Sequence, residues 1–290
     1  MKDIQWFPGH MAKAKREIEE YIKKVDLVIE LKDARIPYSS TNPLLNDIIK
    51  NKPRLVILTK AQMADPKVTK EWINYYKNNN ILALDIDSEA NYNIKQIIPY
   101  CNKALEELFK KRMDKGIKSK DIKAMIVGIP NVGKSTLINK LAKRKAVVVG
   151  DKPGVTKSES WIQIEDSLRL LDTPGVLWPK FEDQTVGLKL FMAGSIKDDI
   201  LDLNELTIRA IDYIKEYYKD LLMKRYDILD IDSKDSYQIL EEIGIRRGAL
   251  KKGGIIDFDR AVKLFLYDLR NVKIGRMSYE TPQIWWYRYV

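Results

Sequence analysis

Eight residues constrain this chain more than any others: Gly128-Ile129-Pro130-Asn131-Val132-Gly133-Lys134-Ser135. They fit the pattern G-x-x-x-x-G-K-[ST]. They stand between an apolar run, Ile122–Val127, and a helix-patterned stretch, Lys134–Ala142. Strand, loop and helix in that order are the context the pattern requires. Gly128 and Gly133 let the backbone wrap a phosphate without Cβ clashes. Successive N–H groups from Asn131 through Val132 to Thr136, at a helix N-terminus, favour bound negative charge. Lys134 is expected to reach the β- and γ-phosphates, and the Ser135 hydroxyl to ligate Mg²⁺.

The rest of the chain supplies a fold for that loop. β-rich runs at Val25–Leu31, Arg54–Thr59, Ile81–Ile86 and Ile122–Val127 alternate with helical stretches at Leu44–Lys50, Lys67–Asn78, Ile94–Lys111 and Lys134–Ala142. Ser158–Ile164 and Ser167–Leu171 read as a strand pair. This alternation predicts an α/β fold with a mainly parallel, doubly wound sheet. Beyond about Pro179 the β-rich pattern ends. Leu203–Lys224, Ser236–Gly244 and Asp257–Arg270 read as helices. The expected domains are therefore a nucleotide domain at 1–179, with an N-terminal extension, and a smaller α-helical domain at 180–290.

Asp172-Thr173-Pro174-Gly175 follows the strand Ser167–Leu171. A carboxylate at a strand end can hold Mg²⁺ through water, and the Gly175 N–H can meet a γ-phosphate. Thr156, in Lys152-Pro153-Gly154-Val155-Thr156, lies between the loop and this motif. Its hydroxyl can reach Mg²⁺ when a γ-phosphate is present, which makes it a switch element. A base-reading motif of the N-K-x-D kind is expected after these segments, but nothing beyond Gly175 fits one. The candidate lies upstream, at Thr59-Lys60-Ala61-Gln62, with a second base-contact turn at Asp87-Ser88-Glu89. Base motifs thus precede the phosphate loop.

That order resembles the circularly permuted P-loop GTPases. More closely, nearly all 290 residues resemble the ribosome biogenesis GTPase A family of bacterial large-subunit assembly factors. The residues that carry the likeness include Trp6–Ala14, Asp33-Ala34-Arg35-Ile36-Pro37, the phosphate loop, Lys152–Thr156 and Leu171–Lys180. Ile243-Gly244, Arg247-Gly248 and Gly253-Gly254 with Asp257 add to it. The resemblance implies binding of GTP and GDP, Mg²⁺-dependent hydrolysis, and docking on the precursor large subunit, its rRNA and its ribosomal proteins. It implies a role for His10 in hydrolysis; the alternative is that Trp6–Met11 docks the N-terminus or contacts RNA. It implies that Asn131 helps hold K⁺ beside the phosphates; the alternative is that Asn131 only shapes the loop. Asp33 and Arg35 read as a structural pair near the base side.

The chain departs from the family where the base is read. Relatives place Asp where Gln62 stands, and that carboxylate accepts two hydrogen bonds from guanine N1 and N2. A neutral amide presents its NH₂ to the same donors. Losing a charge-assisted pair weakens binding by about 1.5–3 kcal/mol. Thr59 stands for asparagine and keeps a hydroxyl, and Ser88-Glu89 stand where a small residue and lysine are usual. Val176 and Leu177 follow Gly175 and cannot orient water, so unaided hydrolysis is expected to be slow; the resemblance implies that the ribosome stimulates it. Alternatives are a weakly catalytic or non-catalytic RNA-binding scaffold with relaxed purine specificity, or an enzyme for ATP or another purine triphosphate.

Composition narrows the partners. Fifty-one Lys+Arg face 41 Asp+Glu, a net charge of +10, and the excess is clustered. Residues 134–157 hold seven Lys/Arg and one acid, and residues 244–290 hold ten and four. Such patches suit salt-dependent, shape-driven RNA binding. Trp285-Trp286-Tyr287-Arg288-Tyr289 reads either as a base-stacking strip or as a cap on the helical core. One cysteine and one histidine exclude an internal disulfide and a His/Cys metal cluster. Apolar runs are too short to span a membrane, and Met1–Trp6 has no apolar h-region. A cytoplasmic protein with no membrane insertion is expected.

Overall fold

The computed structural model describes residues 16–49, 52–144, 146, 160–165, 167–173, 183–198 and 202–283. Contacts divide the chain into two units, Met1–Phe181 with Ser278–Val290, and Glu182–Met277.

In the first unit, Leu27–Asp33 (β1), Arg54–Thr59 (β2), Leu82–Asp85 (β3), Ile122–Gly128 (β4), Ser160–Glu165 (β5) and Leu168–Asp172 (β6) form one sheet in the order β3-β2-β1-β4-β6-β5. β1 pairs in parallel with both β2 and β4, and only β5 runs antiparallel, against β6. From β1 the chain steps outward to β2 and β3, then returns to β4 on β1's other side. The carboxyl ends of β1 and β4 thus flank a reversal of strand order, which is where open α/β sheets bind ligands. Those ends carry Asp33 and Gly128, and the neighbouring ends of β2 and β6 carry Thr59 and Asp172.

β1 is buried along its whole length and reaches two residues past the apolar run, to Lys32 and Asp33. Its polar residues are accommodated because neighbours compensate their charge: Glu30 pairs with Arg54 and with Lys32 (3.5 Å). The register sets Val28, Glu30 and Lys32 on the face that also carries Arg54, Val56, Leu58, Met125 and Val127. Two apolar clusters cover that face. One gathers Ile18, Ile22, Val25, Val28, Leu45, Ile49 and Met125; the other gathers Val56, Leu58, Trp72, Tyr76 and Ala83.

Helices of this unit include Pro43–Ile49 (α1), Pro66–Asn78 (α2), Ile97–Ala104 (α3), Glu106–Asp114 (α4) and Lys134–Leu141 (α5). Asp65 caps α2 by accepting from Lys67 N and Val68 N, with Pro66 at the first helical position, where its missing N–H costs nothing. The stretch expected as one helix at Ile94–Lys111 is interrupted at the buried Leu105 (φ −108°, ψ 12°).

The second unit contains Gln184–Met192 (α6), Leu203–Tyr217 (α7), Lys219–Tyr226 (α8), Ser236–Arg246 (α9) and Phe258–Arg270 (α10). Sequence reading missed α6 because it is buried nearly all round and offers little amphipathic contrast. The single helix expected at Leu203–Lys224 breaks at Tyr218. A Cβ on Gly244 would lie 2.9 Å from Ile256 Cδ1 and 3.1 Å from Ala261 Cβ, so a side chain there would have to displace both. Asp268 is fully buried and holds Arg225, Arg247 and the Tyr226 hydroxyl.

One assignment changes. The whole stretch 180–290 was expected in the helical domain, yet Ser278–Val290 groups with the nucleotide unit. The reason is a set of hydrogen bonds from Ser278, Tyr279 and Glu280 to residues more than 200 positions earlier. No local pattern announces such pairing. Among the described residues, no helix is long and apolar enough to cross a membrane.

Candidate functional site

β4 delivers the chain into the phosphate loop. A Cβ on Gly128 would sit 2.9 Å from Val132 Cγ1 and 3.0 Å from Leu31 O, so glycine is required there. Asn131 (φ 59°) and Gly133 (φ 99°) adopt left-handed backbone, and Gly133 is the residue before the first turn of α5. Val132 is buried under the loop, and Lys134, Ser135 and Thr136 open the helix with their N–H groups at its positive end.

Lys134 reaches across to the end of β6. Its ammonium donates to Asp172 Oδ1 at 2.6 Å and to the Thr173 carbonyl. Burial pulls the Lys134 amine below the ordinary lysine value, against the upward pull of Asp172. Thr173 is fully buried and its hydroxyl donates to Ile126 O at 2.7 Å, which fixes the exit of β6 against β4. Two motifs expected to act together, 38 residues apart, thus meet at one point. Ser135 and Asp172 supply hard oxygen donors of the kind Mg²⁺ takes together with substrate phosphates and water. Among the described residues no group of three His, Cys, Asp or Glu could hold a metal ion. Thr156, Gly175 and His10 lie outside the described residues, as do Val176, Leu177 and Trp285–Tyr289.

The base side stands at the ends of β1, β2 and β3. Thr59 Oγ1 lies 2.6 Å from Val132 O and 3.1 Å from Lys32 O, and so joins the base turn to the phosphate loop. Lys60 takes left-handed backbone (φ 56°), and Ala61 N donates to Ile86 O at 3.1 Å. Gln62 follows in a short 3₁₀ turn, Ala61–Met63. Its Oε1 is buried and accepts no hydrogen bond among the described residues. Asp87 Oδ1 accepts from Glu89 N at 2.8 Å and Ala90 N at 3.1 Å. Its carboxylate therefore shapes the turn that carries Ser88.

Asp33 organises this side. Arg35 grips it through Nε (2.9 Å) and a terminal nitrogen (2.7 Å), and Lys60 Nζ lies 3.0 Å away. Burial alone would raise the Asp33 carboxyl, but Arg35 and Lys60 hold it well below the usual carboxylate range. Asp33 and Arg35 are thus the structural pair expected from sequence. The link to Lys60 and the Thr59 tie to Val132 had no signal beyond proximity in the motif, and Glu280 had none.

Basic residues in the helical unit separate into two kinds. Arg246, Arg247 and Arg270 are held in ion pairs with Glu242, Asp268 and Asp198. Lys251, Lys252, Arg260, Lys263 and Lys273 are exposed.

The profile of the MMR_HSR1 family, described as 50S ribosome-binding GTPase, matches residues 123–239. Ribosome biogenesis GTPase A of Bacillus cereus is 49% identical over 280 residues, 97% of this chain and 94% of that protein. Ribosome biogenesis GTPase A of Thermotoga maritima is 30% identical over 280 residues, 97% of this chain and 95% of that protein. Among solved structures, GNP-bound YlqF from T. maritima matches with a TM-score of 0.64 at 28% identity, covering 93% of this chain and 99% of that one.

Proposed function

This chain belongs to the ribosome biogenesis GTPase A family, a GTPase of the YlqF kind, and from that premise we propose that it is a nucleotide switch acting on the precursor of the large ribosomal subunit. The observation that carries the reading is the meeting of Lys134 and Asp172 at the carboxyl ends of β4 and β6. A phosphate entering the loop competes for the Lys134 ammonium and frees the Asp172 carboxylate. Water attacks the γ-phosphorus, the bond to the β–γ bridging oxygen breaks, and GDP and phosphate form. Lys134 offsets charge on the β- and γ-oxygens, and the loop N–H groups hold the phosphates in line. Mg²⁺, held by Ser135, Thr156 and, through water, Asp172, would supply further charge on those oxygens. Val176 and Leu177 cannot hydrogen-bond water, so His10 or a K⁺ ion beside Asn131 completes the site, and the ribosome stimulates turnover.

Partner recognition rests on exposed cations. Lys251, Lys252, Arg260, Lys263 and Lys273 present positive charge for rRNA phosphates. GTP favours the subunit-bound state and hydrolysis triggers release. The test measures affinity for large-subunit precursors with GDP and with a non-hydrolysable GTP analogue, and turnover with and without subunits in K⁺ and Na⁺ buffers. Tighter binding with the analogue, and faster turnover with subunits, are expected. Equal affinity in both nucleotide states removes the switch from this account.

A second reading is favoured by Gln62, whose amide oxygen has no partner in the base turn. It holds that guanine selection is relaxed and catalysis secondary. Competition among GTP, ATP and XTP decides between the two.

A further inference from the structure

Three consecutive residues, Ser278, Tyr279 and Glu280, are buried on the nucleotide unit, and each bonds a different piece of the base side. Ser278 Oγ accepts from Asp65 N at 3.1 Å, three residues beyond Gln62. Tyr279 N donates to Arg35 O at 2.7 Å. The Glu280 carboxylate accepts from Tyr38 N at 2.7 Å, from Ser39 N at 3.1 Å and from the Ser39 hydroxyl. Its carbonyl accepts from Trp72 Nε1 at 3.0 Å.

These partners form one chain of contacts. Arg35 grips Asp33, Asp33 holds Lys60, and Lys60 belongs to the turn that ends in Gln62. Asp65 closes the far side of that turn and caps α2. An anchor for a chain end needs only apolar burial. A buried carboxylate is costly unless fully hydrogen-bonded, and here its bonds go to the loop that backs the base turn.

We propose that Ser278–Glu280 is a positioning strap for the base-reading turn. It holds Thr59–Gln62 in the geometry that retains a purine, and its contribution falls on the base rather than on the phosphates. This rests on the reading of Thr59–Gln62 as the base turn. The strap follows Met277, the last residue of the helical unit, without a linker. The helical unit begins at Glu182, shortly after Asp172. Both ends of that unit are therefore covalently joined to segments of the nucleotide site.

The test uses the full chain with Ser278→Ala and Glu280→Gln. It reads the GDP dissociation rate and, separately, the affinity for inorganic tripolyphosphate, which has no base. Faster GDP release, about tenfold for Glu280→Gln and about threefold for Ser278→Ala, is expected with tripolyphosphate binding unchanged. Unchanged GDP release in folded variants overturns the strap. So does equal weakening of both ligands, which marks a purely structural role. If Glu280→Gln does not fold, Ser278→Ala, which removes one hydroxyl, decides alone. Wild-type protein that binds tripolyphosphate no more weakly than GDP would instead sink the base-turn reading itself.

Discussion

The two halves of the nucleotide site are built in different materials. The phosphate side is built from backbone: Gly128 under Val132 and Leu31, and left-handed turns at Asn131 and Gly133. The base side is built from charged side chains. Asp33, Arg35 and Lys60 form its centre, and Glu280 backs the adjoining loop. A backbone-built site admits few residues at each position, so its motif survives intact. A side-chain frame leaves the reading residues free to vary while the frame holds. Thr59 and the uncharged Gln62 accordingly sit in a formed turn, Ala61–Met63 following the left-handed Lys60.

Breaking the frame gives the largest expected effect. Asp33→Ala removes the buried carboxylate that both Arg35 and Lys60 grip. A loss of about 3–5 kcal/mol in folding stability is expected by urea denaturation, the cost of removing one member of a buried pair. Because Arg35 and Lys60 hold the Asp33 carboxyl below its ordinary value of 3.8, its contribution is full above that pH and is lost only as pH falls below it. A variant that keeps wild-type stability at neutral pH would show that the base side does not depend on this pair.

The same contrast explains what was legible in the sequence. The phosphate loop, the permuted order and all six strands could be read because each rests on local pattern: a glycine spacing, an apolar run, a helix start. The polar end of β1 was cut short at Leu31 because Lys32 and Asp33 look like loop residues until Thr41 and Arg35 are seen beside them. Glu280 was invisible for a stronger reason. Its partners lie 241 and 242 residues away, and nothing in the segment around it has helical or strand periodicity. α6 was missed because uniform burial erases the amphipathic signal.

Next in size is a pH effect confined to the frame. Lys32 is buried between Glu30, Thr41 and the Tyr76 ring, and burial pulls its amine down to about 8 against the pull of Glu30. Between that value and the ordinary 10.5, the unfolded chain binds more protons than the folded one. Stability therefore rises with pH across this window, by a contribution on the order of 3 kcal/mol. Urea denaturation at several pH values from 7 to 10, as a difference between wild type and Lys32→Met, isolates it. A flat difference would mean that Glu30 keeps Lys32 charged throughout.

Changing the reader while leaving the frame alone gives a smaller and more selective effect. On the proposed reading of Thr59–Gln62 as the base turn, Gln62→Asp sets a carboxylate against guanine N1 and N2. GTP affinity is expected to rise about ten- to a hundredfold, or about 1.5–3 kcal/mol, while XTP affinity falls. Calorimetric titration with both nucleotides checks it. Equal change for both would place Gln62 outside the base contact.

The smallest expected effect tests whether the two halves are separable at all. Thr59 belongs to the base turn, yet its hydroxyl lies 2.6 Å from Val132 O in the phosphate loop. Thr59→Val keeps the shape and removes the donor, at about 1 kcal/mol for a lost hydrogen bond. If the halves are joined through this bond, GDP and base-free tripolyphosphate should weaken together, by about fivefold. If only GDP weakens, the phosphate loop holds its form without help from the base side. In that case backbone conformation alone, set by Gly128, Asn131 and Gly133, is enough to keep the phosphate site in place.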